Sequence, residues 1–115
     1  EVNLMIKKED MPECPVETTI SLIGGKWKLL IMRNLLSRSW RFNELKKDLK
    51  GISQNVLTYN LRSMEKDGII IRKIYPEIPP KVEYGLTKLG KSMKPIIKSM
   101  EKWGIEYKNK IKDDK

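Results

Sequence analysis

Few side chains in this 115-residue sequence could do chemistry: a single cysteine, Cys14, and the polar run Ser53-Gln54-Asn55 followed by Thr58, Tyr59 and Arg62. With no histidine, the commonest general base and metal ligand are missing, and one cysteine makes neither a thiol-rich zinc site nor an intrachain disulfide. The sequence carries no glycine-rich phosphate loop, paired-acid motif or nucleophile elbow, so no enzyme, metal or cofactor is expected. What remains is recognition. Gln and Asn can pair with adenine, Arg with guanine, and the Thr methyl with thymine. At 100° per residue, Gln54, Asn55, Thr58, Tyr59 and Arg62 share one side of a helix, with Lys66 a turn further on. Val56, Leu57, Leu61 and Met64 form the buried stripe on the other side. A face that only meets water is usually richer in Glu and Lys, and an exposed tyrosine suits a contact surface.

The charge balance agrees with that chemistry without proving it. There are 24 basic and 15 acidic residues, a net charge of +9. Such a surplus favours polyanions, because each neutralised phosphate releases counterions; a lysine-rich solubilising surface would give the same number. The surplus is concentrated in residues 16–50 and 87–115, and the second stretch reads as the solvated side of a helix. Arg41, Lys73 and Lys81 are candidate phosphate contacts, as are Lys46, Lys47, Lys50 and Arg72. No apolar run has the length of a membrane span and no leader pattern is visible near Glu1, so a cytoplasmic protein without membrane contact is expected.

The elements that must position these residues follow from punctuation and periodicity. Residues 1–13 are polar and acidic and read as a flexible arm. Cys14-Pro15-Val16-Glu17 is a helix start, with proline at the first helical position and an acid in the first turn. Val16, Ile20 and Ile23 share a face of that helix, which Gly24-Gly25 ends. A second helix, from about Trp27 to Leu36, places Trp27, Leu30, Ile31 and Leu35 inward. Trp40-Arg41-Phe42 has room only for a strand stub. Asn43 is expected to cap a helix through Leu49, Gly51 to turn the chain in left-handed geometry, and Ser53 to cap the helix from Gln54 to Asp67. Two helices joined by a short glycine turn are a helix-turn-helix pattern. Residues 69–75 and 81–86 have strand composition around Pro76-Glu77-Ile78-Pro79-Pro80, which cannot supply a regular ladder of N–H donors: a wing. Thr87 is expected to cap one long final helix with Met93, Ile97, Met100, Trp103, Tyr107 and Ile111 along a stripe, bent or restricted early by Pro95. The fold class is therefore mainly α with a small β wing (α+β).

Read in order, these segments resemble the HxlR-type regulators, a winged-helix group related to MarR proteins. Cys14 to Trp27 is similar to the family's opening, Arg41-Phe42-Asn43-Glu44-Leu45 through Leu61-Arg62 to its helix-turn-helix, and Tyr75 to Tyr84 to its wing. Leu86-Thr87-Lys88-Leu89-Gly90 is similar to the start of its last helix, so the likeness spans about residues 14–104. Gly85 stands where the family usually carries a larger polar residue. The resemblance implies a bacterial homodimeric transcription factor, repressor or activator, that binds double-stranded DNA at a palindromic operator and often senses an oxidant or electrophile. It implies dimerisation through the first and last helices. Val16, Ile20, Ile23, Met93, Ile97, Met100, Trp103 and Tyr107 are then the interface candidates, and the Met93–Ile111 stripe is independently longer than one small core needs.

The expected organisation is an arm over 1–13 and one winged helix-turn-helix domain over 14–112. Within it the motif occupies about 43–67, the wing about 69–86, and the dimerisation helix about 87–112. Cys14 falls where the resemblance places a sensing cysteine. A helix start favours a thiolate, whereas Glu13 and Glu17 oppose it, and a lone cysteine also serves as a small buried hydrophobe. Without a second cysteine, oxidation could only join two subunits or form a mixed disulfide, and an electrophile could alkylate the thiol. Two other readings stay open: a winged helix that binds protein or RNA, and a ligand-responsive regulator without cysteine chemistry.

Overall fold

A computed structural model describes residues 8–113, and its elements follow the punctuation of the sequence closely. Residues 1–7 of the expected arm lie outside the described residues; Lys8–Asp10 form a single 3-10 turn. Helix α1 (Pro15–Ile23) begins at the proline, with Cys14 in extended geometry ahead of it. Helix α2 (Lys26–Ser37) follows, then strand β1 (Trp40–Arg41), helix α3 (Phe42–Asp48) and helix α4 (Gln54–Lys66). Strands β2 (Ile70–Tyr75) and β3 (Lys81–Leu86) form the hairpin. They are succeeded by a short α5 (Lys88–Lys91) and α6 (Lys94–Asp113).

One core holds the two motif helices. Ile31, Met32 and Leu35 of α2, Leu45 of α3, Leu57, Leu61 and Met64 of α4, and Ile69, Ile70 and Leu86 at the wing base are all buried in one cluster. Burying a side chain of this size stabilises the fold by about 1.5–3 kcal/mol, so α4 is anchored chiefly by its inner face. Val56, expected in that stripe, is 39% exposed. Periodicity gives the direction of a face but not how far its neighbours reach around it.

The sheet order is β1-β3-β2, all antiparallel. The stub at Trp40 thus becomes an edge strand of the wing, with Trp40 opposite Tyr84. Gly85 lies opposite Ile71, and a Cβ there would sit 3.0 Å from the Ser39 hydroxyl, so this local chain path favours the small residue.

Two expectations at helix ends need correcting. Asn43 does not cap α3; the cap position is Arg41, whose backbone N–H donates to the Glu44 carboxylate at 2.9 Å. The acid three residues inside the helix settles the start, two residues ahead of Asn43. Nor does one helix run from Thr87. Thr87 caps only α5, accepting from the Gly90 N–H at 3.0 Å, and a new helix begins at Lys94. Pro95 has no N–H to continue the ladder, and its ring would clash with the carbonyl four residues earlier, so the chain breaks before it.

Candidate nucleic-acid interface

The sharp entry into α4 is built locally. Gly51 adopts φ +91°, a left-handed conformation that a Cβ would strain. Ser53 then caps α4, its hydroxyl accepting the Val56 N–H at 3.1 Å. From that start Gln54, Asn55, Tyr59 and Arg62 project into solvent and Thr58 is half-buried; Tyr59 is 71% exposed. The polar face expected from the sequence is therefore a continuous outward surface, and Lys66 extends it. Hydrogen-bonding side chains near the first turns of a core-anchored helix can meet base edges in a major groove.

The wing closes one side of this surface. Gln54, Thr58, Arg62, Glu65, Arg72 and Tyr84 line a hollow between α4 and the hairpin. Arg72 approaches Glu65 at 3.9 Å, a weak half-exposed pair that ties β2 to α4. Burial pushes the Tyr84 phenol up from its ordinary value, and the Arg72 guanidinium works against that rise. Tyr84 accordingly stays protonated near neutrality.

Strand register sorts the wing cations in a way composition alone left open. Arg72 pairs with Tyr84 and so shares the sheet face turned toward α4. Arg41 and Lys73 both lie opposite Glu83, on its two sides, and share the other face. Lys81 is on that second face as well, but its ammonium is engaged: it sits 3.6 Å from Glu83 and 4.8 Å from the centroid of the Tyr75 ring. Lys73 and Arg62 have no ion pair among the described residues. Arg72, more than Lys81, thus adjoins the α4 surface, and the signal that finds it is strand alternation counted from Tyr84.

The start of α3 is fixed by a small network. Arg38 stacks on the Trp40 ring at 3.8 Å and donates to Glu44 at 3.2 Å, and the Trp40 indole N–H donates to the Asn34 carbonyl at 2.9 Å. The Arg41 N–H, and after it the Arg38 guanidinium, hold the Glu44 carboxyl below the usual glutamate range. Buried Asn34, which periodicity did not single out, donates to Asp48 at 2.9 Å and so ties α2 to the end of α3.

The interface candidates divide. Val16 and Ile20 on α1 and Met100, Trp103 and Tyr107 on α6 are exposed, Val16 at 64% and Trp103 at 65%. Ile23 is buried in the chain's own core, and Met93 and Ile97 pack against it, so these three are already satisfied. Trp103 and Tyr107 stack at 5.3 Å, forming an aromatic plate on the outer side of α6. Cys14 is exposed. No described helix is long and apolar enough to cross a membrane.

Comparison with known proteins agrees with this arrangement. A family model described as HxlR-like helix-turn-helix matches residues 22–112. The uncharacterized HTH-type transcriptional regulator YdeP of Bacillus subtilis is 47% identical over 103 residues, covering 90% of this chain and 80% of that protein. The structure of the redox regulator HypR in its oxidized form superposes with a TM-score of 0.78 at 44% identity, over 81% of this chain and 96% of that one. The reduced form of the transcriptional regulator YodB from B. subtilis gives a TM-score of 0.71 at 34% identity, over 80% and 91% of the two chains.

Proposed function

Since the chain belongs to the HxlR-like helix-turn-helix family, and is a transcriptional regulator of that type, we propose that it acts as a homodimeric repressor on a palindromic operator. The observation that carries this reading is the outward polar face of α4, set on a helix whose other side is locked into the core. In each subunit α4 enters a major groove. Gln54, Asn55, Thr58, Tyr59 and Arg62 meet base edges, and Ser53 and Arg41 hold the backbone at either side. Lys73, with Arg72 and Lys81 nearer the hairpin's own anions, contacts flanking phosphates.

Two copies join through the exposed residues of α1 and α6, which would remove Val16, Ile20, Met100, Trp103 and Tyr107 from water. A domain over residues 14–112 contains all of this. The exposed Cys14 at the start of α1 then sits beside that seam, and the description of HypR as a redox regulator supports a sensing role for it. A two-electron oxidant would join Cys14 to the Cys14 of a second copy or to a small thiol, and an electrophile would alkylate it.

Selection of bound duplexes from a random pool, with and without diamide, tests both halves. The expected result is an inverted repeat whose half-sites are a helical turn or so apart, with affinity that falls steeply with salt and changes on oxidation. A monomer that prefers no duplex would instead favour a protein- or RNA-binding winged helix. A Cys14→Ser chain that keeps its full response to diamide would remove the sensing role alone.

A further inference from the structure

Among the residues of α4, Glu65 is the only acid, and it stands in the last turn. A carboxylate there faces the negative end of the helix dipole, so local helix energetics do not account for it. Two arginines lie within its reach. Arg62 precedes it by three residues on the same helix, a spacing at which side chains are neighbours. Arg72 comes across from β2, with its Nε 3.9 Å from the Glu65 carboxylate.

These three residues line the hollow between α4 and the hairpin, together with Tyr84. Their charges meet at the Tyr84 phenol. Burial raises that phenol first of all; Arg72 and Arg62 then act to lower it, and Glu65 to raise it. One carboxylate thus stands between two guanidinium groups and can neutralise either.

The structure shows which one it takes. Glu65 pairs with Arg72, and Arg62 makes no ion pair among the described residues. Strand register explains the choice. Arg72 is paired with Tyr84 in the β2–β3 ladder, so the sheet delivers its guanidinium to the α4 side on a fixed backbone. A base ahead of an acid is also the weaker order for a pair along one helix, since both charges then oppose the dipole. Arg62 is therefore left exposed and unpartnered on the outward face.

We infer that Arg72 is a positioning residue for base recognition: by occupying Glu65 it keeps that carboxylate off Arg62, whose guanidinium stays free for a base edge. Without Arg72, Glu65 turns to Arg62, and that pair must break before the acceptors of a guanine can be met. The inference rests on the regulator reading above, and within it on Arg62 as a reader of bases.

A double-mutant cycle tests it, read by competition binding of the full chain to the selected operator and to duplexes altered at each base pair. Arg62→Ala first locates the base pair whose choice it relaxes. At that pair Arg72→Gln should lose about two- to fivefold of discrimination, the range that a half-exposed ion pair supplies. Low salt should deepen the loss, because the new Arg62–Glu65 pair is then less screened. Glu65→Gln combined with Arg72→Gln should restore the discrimination, since no carboxylate is left to hold Arg62. Arg72→Lys, which keeps a cation opposite Glu65, should retain most of it. A merely structural Arg72 gives no rescue in the double variant, and a purely phosphate-binding Arg72 weakens all duplexes alike; either result overturns the inference. Unchanged discrimination in Arg72→Gln does so too, as does an Arg62→Ala chain that binds the operator and relaxes no base pair. A parent chain that binds no duplex at all overturns the regulator reading and this inference with it.

Discussion

Helices α4 and α6 are both amphipathic, yet they leave opposite chemistries facing outward. On α4 the apolar residues Leu57, Leu61 and Met64 are buried and the polar ones remain in water. On α6, Met100, Trp103 and Tyr107 remain in water and little of the helix reaches the core beyond Ile97. An outward polar face suits hydrogen bonding to base edges, whereas an outward apolar face suits another protein surface. The lesson is that periodicity names the stripe, and only packing says whether the stripe or its complement is left for a partner.

The contrast breaks most readily from the inside. Leu61→Ala should cost about 2–5 kcal/mol of stability by urea denaturation, because it opens a cavity under α4. Trp103→Ala should leave monomer stability nearly unchanged but weaken self-association by about 2 kcal/mol or more in sedimentation velocity. If instead Trp103→Ala unfolds the chain and Leu61→Ala does not, the two helices have been assigned the wrong way round. On the outer face of α4, Arg62→Ala should cost about 1–3 kcal/mol on the selected operator and relax base choice at one position. Lys73→Ala should weaken specific and random duplexes alike and reduce the salt slope by about one. Equal behaviour of these two variants would erase the distinction between reading and holding.

Smaller effects sharpen the same comparison at the helix starts. Ser53→Ala removes the α4 cap and should lower stability by about 1 kcal/mol, with operator affinity falling in parallel. The Glu44 carboxyl is held below its ordinary value, so its contribution is complete above the usual glutamate range, near 4.3, and fades as pH falls through the lower folded value. A Glu44→Gln chain should lack that small acid-side loss in a pH series of melting temperatures.

Much of this was legible in the residues. Gly51 and Ser53 mark the turn and the cap by their own backbone and side-chain preferences, and the prolines at 76, 79 and 80 force the wing loop. The cap of α3 was not legible, because Glu44 acts from inside the helix on Arg41. The division of α5 from α6 was only half legible: Pro95 announces a disturbance, but the break falls ahead of it. The interface candidates Ile23, Met93 and Ile97 share a stripe with exposed neighbours, and which members the core takes is a matter of three-dimensional reach. The α4-facing side of the wing depended on register, which pairs Arg72 with Tyr84.

The joint at Thr87 sets a length scale for everything beyond it. The Thr87 hydroxyl bonds the Gly68 and Ile69 carbonyls, and a Cβ on Gly90 would overlap the Ile69 carbonyl oxygen, so the root of the C-terminal arm is pressed against the exit of α4. From that root α6 extends 20 residues, about 30 Å. Such an arm works as a lever: a tilt of about 10° at its base moves its far end by roughly 5 Å, more than the rise of one base pair along a DNA strand, about 3.4 Å. In the proposed dimer, angular tolerance at one threonine and one glycine would become the registration error between two distant binding heads.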